Sequence, residues 1–410
     1  MSGIWHPFTQ HALAPAPLPV AKGEGAWLIL NDGRRILDGI SSWWVTTHGH
    51  NHPRLMAAIR EQTGRLDQVI FAGFTHQPAE DLATELLRIA PPGLSHVFYS
   101  DSGSTSVEVA LKMALGFWRN RGETRTRIVA LEHAYHGDTI GTMAAGARGV
   151  FNAAYEPLLF EVARLPFPAD PAATLAALER EAPGAAALIV EPLLLGAGGM
   201  LMYGPETLRA MKAICERHGT LFIADEVLTG FGRTGTLFAC EQAGVAPDLL
   251  CLAKGLTGGA LPLAATLATP AIFEAHYSTD RRKTFFHSSS YTANPIACAA
   301  ARENLLLWRE EPVRERIAAL GKMQEERLAP FRADPRFANV RRLGTVAALD
   351  LKVSDPGYLA DAGPRLMAHF LAAGVLLRPL GNTIYVLPPY CITAAELDMI
   401  YAAIADCVQA

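Results

Sequence analysis

Four residues that could carry chemistry stand next to short apolar runs of the sequence. Gly103 and Ser104 lie where a predicted helix begins, and Asp225 and Lys254 each follow a predicted buried strand. Ligands of open α/β sheets bind beyond the carboxyl ends of the strands. We therefore expect these residues to line one site that combines an anion-binding helix start, a carboxylate and an amine.

Each of these residues also has an ordinary structural interpretation. The amide groups of a helix N-terminus favour a phosphate, but Ser104 and its neighbours could simply cap the helix. Asp225 could hold a cationic ring nitrogen, or it could be a cap or part of a salt bridge. Burial of Lys254 would lower the pKa of its amine and suit a Schiff base, whereas a lysine that reaches solvent would have no such role.

The combination is more specific than any single residue. Pyridoxal 5′-phosphate requires an anchor for its phosphate, an acidic partner for its pyridine nitrogen and an amine for its aldehyde. We expect Asp225 to keep the pyridine nitrogen protonated. Lys254 is expected to bind the aldehyde and later to move a proton between substrate and cofactor carbons. Tyr135, which follows another predicted strand, is expected to stack on the cofactor ring.

The elements that must position these residues alternate between strand and helix from about residue 80 to 300. Amphipathic helices are predicted over 107–118 and 205–218, and the alternation predicts a doubly wound, mostly parallel α/β domain. A stretch without charge at 255–273 is rich in glycine, proline and threonine, which indicates loops and strand rather than a membrane span. The predicted buried strands are 97–99, 128–131, 187–190, 221–224 and 249–252.

The two chain ends differ from this central region. Residues 46–310 are predicted to form a large cofactor-binding domain, and 1–45 together with 311–410 a small α+β domain. Near the C-terminus, Thr393 and Glu396 have the spacing of a capping box. A final amphipathic helix is therefore predicted to close the small domain.

Composition excludes several classes of protein. The 410 residues include 36 basic and 40 acidic side chains, a net charge of −4, and 19% of all residues are charged. This balance argues against a disordered chain and against nucleic acid as a partner. Six scattered cysteines are too sparse for a disulfide framework. We expect reduced thiols in a cytoplasmic protein that has no signal peptide and does not enter a membrane.

A short histidine pattern is predicted to have a structural role. His48, His50 and His52 alternate just before a predicted helix, without an accompanying carboxylate or cysteine. Zinc sites in proteins combine histidine with such ligands at characteristic spacings. We therefore predict a turn here and no metal site.

Three motifs resemble those of class III pyridoxal-phosphate aminotransferases. They are HAYHGD at 133–138, ADEVLTGFGRTG at 224–235 and AKGL at 253–256. The resemblance extends over almost the whole chain. It implies a fold-type I transferase that binds pyridoxal 5′-phosphate and forms a homodimer with each active site at the subunit interface.

Further segments are similar to one branch of this class, which acts in biotin synthesis. They are WHPFT at 5–9, SSWW at 41–44, the run 101–114 and the run 378–390. The likeness implies transfer of an amino group from S-adenosylmethionine to 8-amino-7-oxononanoate, which gives 7,8-diaminononanoate. A lysine-dependent version of this reaction is the alternative.

The same resemblance implies roles for individual residues. Gly103 and Ser104 would hold the phosphate, with Ser290 reaching in from the other subunit. Arg378 would pair with the carboxylate of the keto substrate, which suits its bidentate fork. Residues expected to line the substrate cavity are Trp43, Trp44, Tyr135 and Phe8.

Two departures from the family pattern bear on these roles. Phe8 stands where the family commonly has tyrosine, so one substrate-facing hydroxyl is absent and the choice of amino donor stays open. Residues 288–290 read SSS in place of Gly-Pro-Thr, and Ser290 can keep the hydroxyl contact with the phosphate.

Three other functions compete with the biotin reaction. A broad ω-amine:pyruvate or diamine transaminase would use the same fold. A nicotinamide-dependent dehydrogenase would carry G-x-G-x-x-G directly after its first strand, and the sequence has no such motif at that place. A non-catalytic pyridoxal-phosphate binding protein would keep Lys254 without transferring an amino group.

Overall fold

The computed structural model describes residues 3–407. Strands and helices alternate through the middle of the chain, as the sequence predicts. The strands are β1 (Val20–Glu24), β2 (Trp27–Leu30), β3 (Arg35–Asp38), β4 (His96–Ser100), β5 (Ile128–Leu131), β6 (Val162–Leu165), β7 (Ala187–Val190), β8 (Leu194–Leu195), β9 (Leu201–Met202), β10 (Leu221–Asp225), β11 (Leu249–Leu252), β12 (Ala264–Ala268), β13 (Phe337–Leu343), β14 (Val346–Leu351), β15 (Val375–Leu376) and β16 (Thr383–Val386).

The helices cover the faces of the sheets that these strands form. Short 3₁₀ turns occupy Ala153–Leu158, Lys254–Thr257 and Arg281–Lys283. The helices are α1 (Ser41–Trp44), α2 (Pro53–Thr63), α3 (Gln77–Ile89), α4 (Gly103–Asn120), α5 (Ile140–Ala145), α6 (Pro171–Glu181), α7 (Pro205–His218), α8 (Cys240–Ala243), α9 (Pro270–His276), α10 (Pro295–Glu310), α11 (Val313–Ala333), α12 (Ala362–Ala372) and α13 (Ala394–Asp406).

A seven-stranded sheet forms the centre of the molecule and confirms the predicted fold class. Its strand order is β4-β12-β11-β10-β7-β5-β6. The strands run parallel except β12, which is antiparallel to both of its neighbours. The five predicted strands correspond to β4, β5, β7, β10 and β11. Every residue of β7, β10 and β11 is buried, as expected for a sheet covered on both faces.

The sequence pattern did not predict the bounds of two strands of this sheet, β6 and β12. The edge strand β6 contains Arg164 and is only partly buried, so it lacks the charge-free pattern of a central strand. The sequence of β12 is AATLA, and its three alanines have low strand propensity. Burial between β4 and β11 stabilises β12 as a strand, which is a tertiary effect.

Smaller sheets are formed by segments from both chain ends. One has the order β1-β2-β3-β15, in which β15 from the C-terminal region runs parallel to β3, and another has the order β13-β14-β16. One hydrophobic cluster contains Leu37, Val313, Phe370 and Ile400, together with Leu194 from the central region. The domain boundaries at 46–310, 1–45 and 311–410 stay a prediction.

Among residues 3–407, no helix combines the length and the apolar character that a membrane crossing would require.

The predicted capping box closes the N-terminus of α13. The Thr393 side chain accepts a hydrogen bond from the Glu396 amide (3.3 Å), and the Glu396 carboxylate accepts one from the Thr393 amide (2.7 Å). Ile400 and Ile404 on this helix are fully buried. The cap therefore fixes the start of a helix whose other side belongs to the core.

Replacing Thr393 with alanine should lower the free energy of unfolding by about 1 kcal/mol, because one helix amide loses its acceptor. The midpoint of denaturant unfolding measures this change. Thr63→Ala is the matched control, since the Thr63 hydroxyl donates to the Arg60 carbonyl at the end of α2 and caps no amide. An equal loss in both variants would contradict the proposed contribution of the cap.

Candidate active site

A cavity of about 410 Å³ opens beyond the carboxyl ends of the central strands. The structure therefore brings the predicted cofactor residues together, although their positions in the sequence span more than a hundred residues. Six of the predicted residues line this cavity: Trp44, Gly103, Ser104, Tyr135, Asp225 and Lys254. Their chemical roles stay predictions.

The N-terminus of α4 forms one end of the cavity. Ser102 caps this helix, accepting a hydrogen bond from the Thr105 amide in a reciprocal capping box. The first amides of a helix have no acceptor within the helix, so those of Gly103 and Ser104 are suited to bind an anion. The Ser104 hydroxyl accepts a hydrogen bond from the Asp138 amide (3.2 Å). This contact joins the helix start to the loop that carries Tyr135.

Asp225 is buried at the end of β10. Its Oδ2 lies 2.7 Å from Nδ1 of His136, and its Oδ1 accepts a hydrogen bond from the Val227 amide (3.1 Å). The Nε2 atom of His136 is buried without a hydrogen-bond partner among the described residues. His136 thus fixes the direction of the carboxylate. His136 belongs to the motif at 133–138, and the sequence alone indicated no role for it.

Lys254 follows β11 in a strained backbone conformation. Its φ is +46°, in the left-handed region that a residue with a side chain rarely adopts. Burial lowers the pKa of its amine to about 8, while the carboxylates of Asp225 and Glu191 partly oppose this effect. The amine nitrogen lies 4.7 Å from the ring centroid of Trp44, within the range of a cation–π contact.

Glu191 is a buried carboxylate that the sequence analysis missed. It follows β7 and accepts hydrogen bonds from the amides of Tyr135 (2.9 Å) and Gly196 (3.0 Å). Burial raises the pKa of Glu191 to about 7, and the nearby Asp225 acts in the same direction. The signal that could have identified it is the one used for Asp225, an acidic residue directly after a buried strand.

Arg233 is a second residue that the sequence analysis left without a role. It is 1% exposed, and its guanidinium donates to the carbonyl groups of Trp44 (3.3 Å), Thr46 (3.1 Å) and Pro388 (3.0 Å). The guanidinium carbon also lies 5.1 Å from the ring centroid of Tyr390. Arg233 therefore holds the segment that places Trp44 beside the amine of Lys254.

The predicted substrate residues Phe8, Trp43 and Arg378 lie together but do not line the cofactor cavity. The guanidinium carbon of Arg378 is 5.1 Å from the Trp43 ring centroid, and its Nη2 donates to the Phe8 carbonyl (3.4 Å). Phe8 packs on Trp43 and Phe151, with ring centroids 5.6 and 5.9 Å apart. We call Phe8, Trp43 and Arg378 the rim group. Within residues 3–407, no carboxylate pairs with Arg378.

Ser290 is exposed and does not line the cavity of its own chain. Its carbonyl accepts a hydrogen bond from Gln68 (3.0 Å). The expectation that Ser290 serves the other subunit's site stays a prediction.

The three histidines of the alternating pattern have separate partners. His48 lies 2.7 Å from Asn304, and His50 lies 2.8 Å from Asp38. His52 approaches Glu311 at 3.9 Å. Between residues 3 and 407, these side chains take part in no group that could hold a metal ion.

The cavity fits pyridoxal 5′-phosphate in its chemistry. A buried amine of lowered pKa, an oriented carboxylate and a helix N-terminus border one volume. These groups match an aldehyde, a pyridine nitrogen and a phosphate. Lys254, Asp225 and the Gly103–Ser104 amides are thus the residues that would hold the cofactor.

The lowered pKa of Lys254 predicts how its reactivity depends on pH. Only the uncharged amine attacks an aldehyde, so its reaction with a small aldehyde should rise with pH around a midpoint near 8 instead of near 10.5. Asp225→Asn should move this midpoint lower, because a negative charge that favours the protonated amine is removed. Trapping with borohydride followed by peptide mass spectrometry would measure the midpoint for Lys254.

Asp248→Asn is the control for this measurement, since Asp248 pairs with Lys212. This substitution should leave the pH midpoint of the reaction of Lys254 with the aldehyde unchanged. A midpoint near 10 in the unaltered protein would contradict the burial effect.

Comparisons with known proteins agree with this site. The profile of the family described as aminotransferase class-III matches residues 8–408. A relative from Synechococcus elongatus named adenosylmethionine-8-amino-7-oxononanoate aminotransferase is 50% identical over 98% of this chain and 97% of its own. A relative of the same name from Geobacter sulfurreducens is 40% identical over 97% and 93% of the two chains.

Solved structures are similar over the same extent. The crystal structure of adenosylmethionine-8-amino-7-oxononanoate aminotransferase from Methanocaldococcus jannaschii has a TM-score of 0.94 at 34% identity, covering 98% of this chain and 97% of its own. A PLP-bound amine transaminase from an uncultivated Pseudomonas species has a TM-score of 0.92 at 35% identity, covering 99% and 98%. The chain therefore belongs to the class III aminotransferase family.

Proposed function

We propose that this protein uses pyridoxal 5′-phosphate to transfer an amino group from S-adenosylmethionine to 8-amino-7-oxononanoate, a reaction of biotin synthesis. The observation that carries the aminotransferase chemistry is the convergence of Lys254, Asp225 and the α4 N-terminus on one cavity. The relative that is 50% identical over nearly the full length supports the choice of substrates. The product would be 7,8-diaminononanoate.

The buried charges are suited to proton transfer at the cofactor. When bound, pyridoxal phosphate supplies an aldehyde for amines and a ring that withdraws electrons. Lys254, with a pKa of about 8, is roughly one-tenth uncharged at pH 7 and can accept and return a proton at Nζ. Asp225, oriented by His136, would hold a proton on the pyridine nitrogen.

The surrounding residues would position the cofactor. The Gly103 and Ser104 amides would bind its phosphate at the α4 N-terminus. Tyr135 would stack on its ring, because Glu191 holds the Tyr135 backbone at the cavity wall. Trp44 would cover the amine of Lys254 and exclude water from it.

The rim group would select the keto substrate. Arg378 has the charge and the planar geometry to pair with a carboxylate, and its present hydrogen bond to the Phe8 carbonyl is a long one (3.4 Å). Phe8 and Trp43 offer apolar surface for the alkyl chain of the substrate. With Phe8 in place of a tyrosine, lysine is the alternative amino donor.

The proposed assembly is a cytoplasmic homodimer with each active site at the interface. Ser290 is exposed and does not line the cavity of its own chain, which agrees with a contribution of its hydroxyl to the partner's phosphate site. Several large apolar side chains near this loop are also exposed and would be covered in a dimer: Ile70, Phe74, Phe286 and Tyr291.

A broad amine transaminase is the second candidate function. The PLP-bound amine transaminase from Pseudomonas is similar to this chain at a TM-score of 0.92 and 35% identity, close to the values for the Methanocaldococcus enzyme. The fold alone therefore does not separate the two reactions. The relatives that are 50% and 40% identical over nearly the full chain favour the biotin reaction.

Separate half-reactions test the proposed substrates. S-adenosylmethionine, lysine or alanine is added to the purified protein, and loss of the absorbance of lysine-bound cofactor is followed. We expect S-adenosylmethionine to transfer its amino group to the cofactor, so that this absorbance is lost. Addition of 8-amino-7-oxononanoate should then restore the absorbance. Discharge by simple amines alone, without restoration by the keto acid, would favour the amine transaminase.

Arg378→Met should raise the KM for 8-amino-7-oxononanoate by roughly 10- to 100-fold, the loss expected for a hydrogen bond to a charged group. The discharge of the cofactor by the donor should change much less if the donor does not use Arg378. Steady-state kinetics with each substrate varied in turn measure both effects. Arg282→Met, at an exposed arginine paired with Asp280, is the control, and an unchanged KM in Arg378→Met would remove Arg378 from substrate recognition.

A further inference from the structure

A buried side-chain amide binds the turn that carries Lys254. Asn304 on α10 is fully buried, and its Nδ2 donates to the carbonyl groups of Gly255 (2.9 Å) and Leu256 (2.9 Å). These are the two residues that follow Lys254, and both are buried. Buried carbonyl groups need a donor, so Asn304 satisfies the backbone of this turn.

His48 fixes the orientation of the Asn304 amide. Its Nε2 lies 2.7 Å from Oδ1 of Asn304. Because Nδ2 of Asn304 donates to two carbonyl groups, Oδ1 must be the acceptor and Nε2 of His48 must carry the hydrogen. Burial lowers the pKa of His48 to about 4, with further effects from the charges of His52, Glu311 and Arg316. The ring is therefore neutral near pH 7.

The lysine turn requires such support. Lys254 has a φ of +46° and Gly258, four residues later, has a φ of +67°. The turn also packs against Phe231, whose side chain would lie 2.8 Å from a Cβ atom added to Gly255. A disfavoured backbone conformation persists only where its surroundings determine it. Asn304 and Phe231 both restrict the turn, one through hydrogen bonds and the other through packing.

We propose that Asn304 and His48 are positioning residues for Lys254. Asn304 binds the two carbonyl groups after the lysine, and His48 locks the amide so that it cannot present its oxygen to them. Together they set the direction in which the lysine amine enters the cavity. This inference rests on the proposed role of Lys254 and is independent of the donor and acceptor substrates.

Covalent attachment of pyridoxal phosphate to Lys254 tests the inference. The full chain is freed of cofactor, pyridoxal phosphate is added, and attachment is followed by absorbance and by borohydride trapping at Lys254. Asn304→Leu and His48→Phe should slow attachment by roughly 10- to 100-fold, the loss that misplacement of a reacting group causes. Once pyridoxal phosphate is attached, the absorbance of the lysine-bound cofactor changes with pH. The midpoint of this change should also differ between each variant and the wild type.

Two further variants separate positioning from general stability. Gln324→Leu removes a different fully buried amide, which donates to the Thr345 carbonyl (2.6 Å) and accepts from the Tyr401 hydroxyl (2.6 Å). It should lower the thermal midpoint but leave attachment at the wild-type rate. His48→Gln should restore much of the rate lost in His48→Phe, because a glutamine amide can donate to Asn304.

A wild-type attachment rate and pH midpoint in folded Asn304→Leu would overturn the inference. If that variant does not fold, equal rates in His48→Phe and His48→Gln would overturn it, and rescue by glutamine would support it. Failure of the wild-type chain to attach pyridoxal phosphate at Lys254 would overturn the proposed function as well. The two failures are therefore distinguishable.

Discussion

Burial of the Lys254 amine is the constraint on which the rest of the site depends. Desolvation disfavours its charge, and the carboxylates of Asp225 and Glu191 oppose this effect while the cation of Arg233 adds to it. The balance leaves a pKa of about 8, so the protonated and uncharged forms are both accessible near neutral pH. An exposed lysine would be almost fully protonated there.

The same constraint explains why the neighbouring charges are tied to the backbone. Glu191 accepts hydrogen bonds from two amides, and Arg233 donates to three carbonyl groups. A buried charge is costly unless it is paired or hydrogen-bonded. Peptide groups from distant segments fulfil this need, and in doing so they fix the loops that carry Tyr135 and Trp44. The hydrogen bonds that stabilise these buried charges therefore also hold the loops of the site in place.

Much of the fold was predictable because short apolar strands of a covered sheet have a local signature. Five short charge-free runs correspond to β4, β5, β7, β10 and β11, and the capping box of Thr393 begins α13 as expected. The alanine-rich β12 and the edge strand β6 lack that signature. Burial between β4 and β11 makes β12 a strand, and parallel pairing with β5 makes β6 one. Lys254 and Asp225 were identifiable because a charge directly after a buried strand is uncommon.

The sequence by itself determined the fold class and the family and marked Lys254 and Asp225 as candidate site residues, since each rests on local pattern or on motifs of short length. Only the tertiary structure decided which residues act on them. Asn304 reaches the Lys254 turn, and His136 meets Asp225, across separations of about 50 and 89 residues. Such contacts arise from the packing of whole helices and sheets, and no spacing in the sequence encodes them. The partners of the buried amine therefore became visible only in the folded chain.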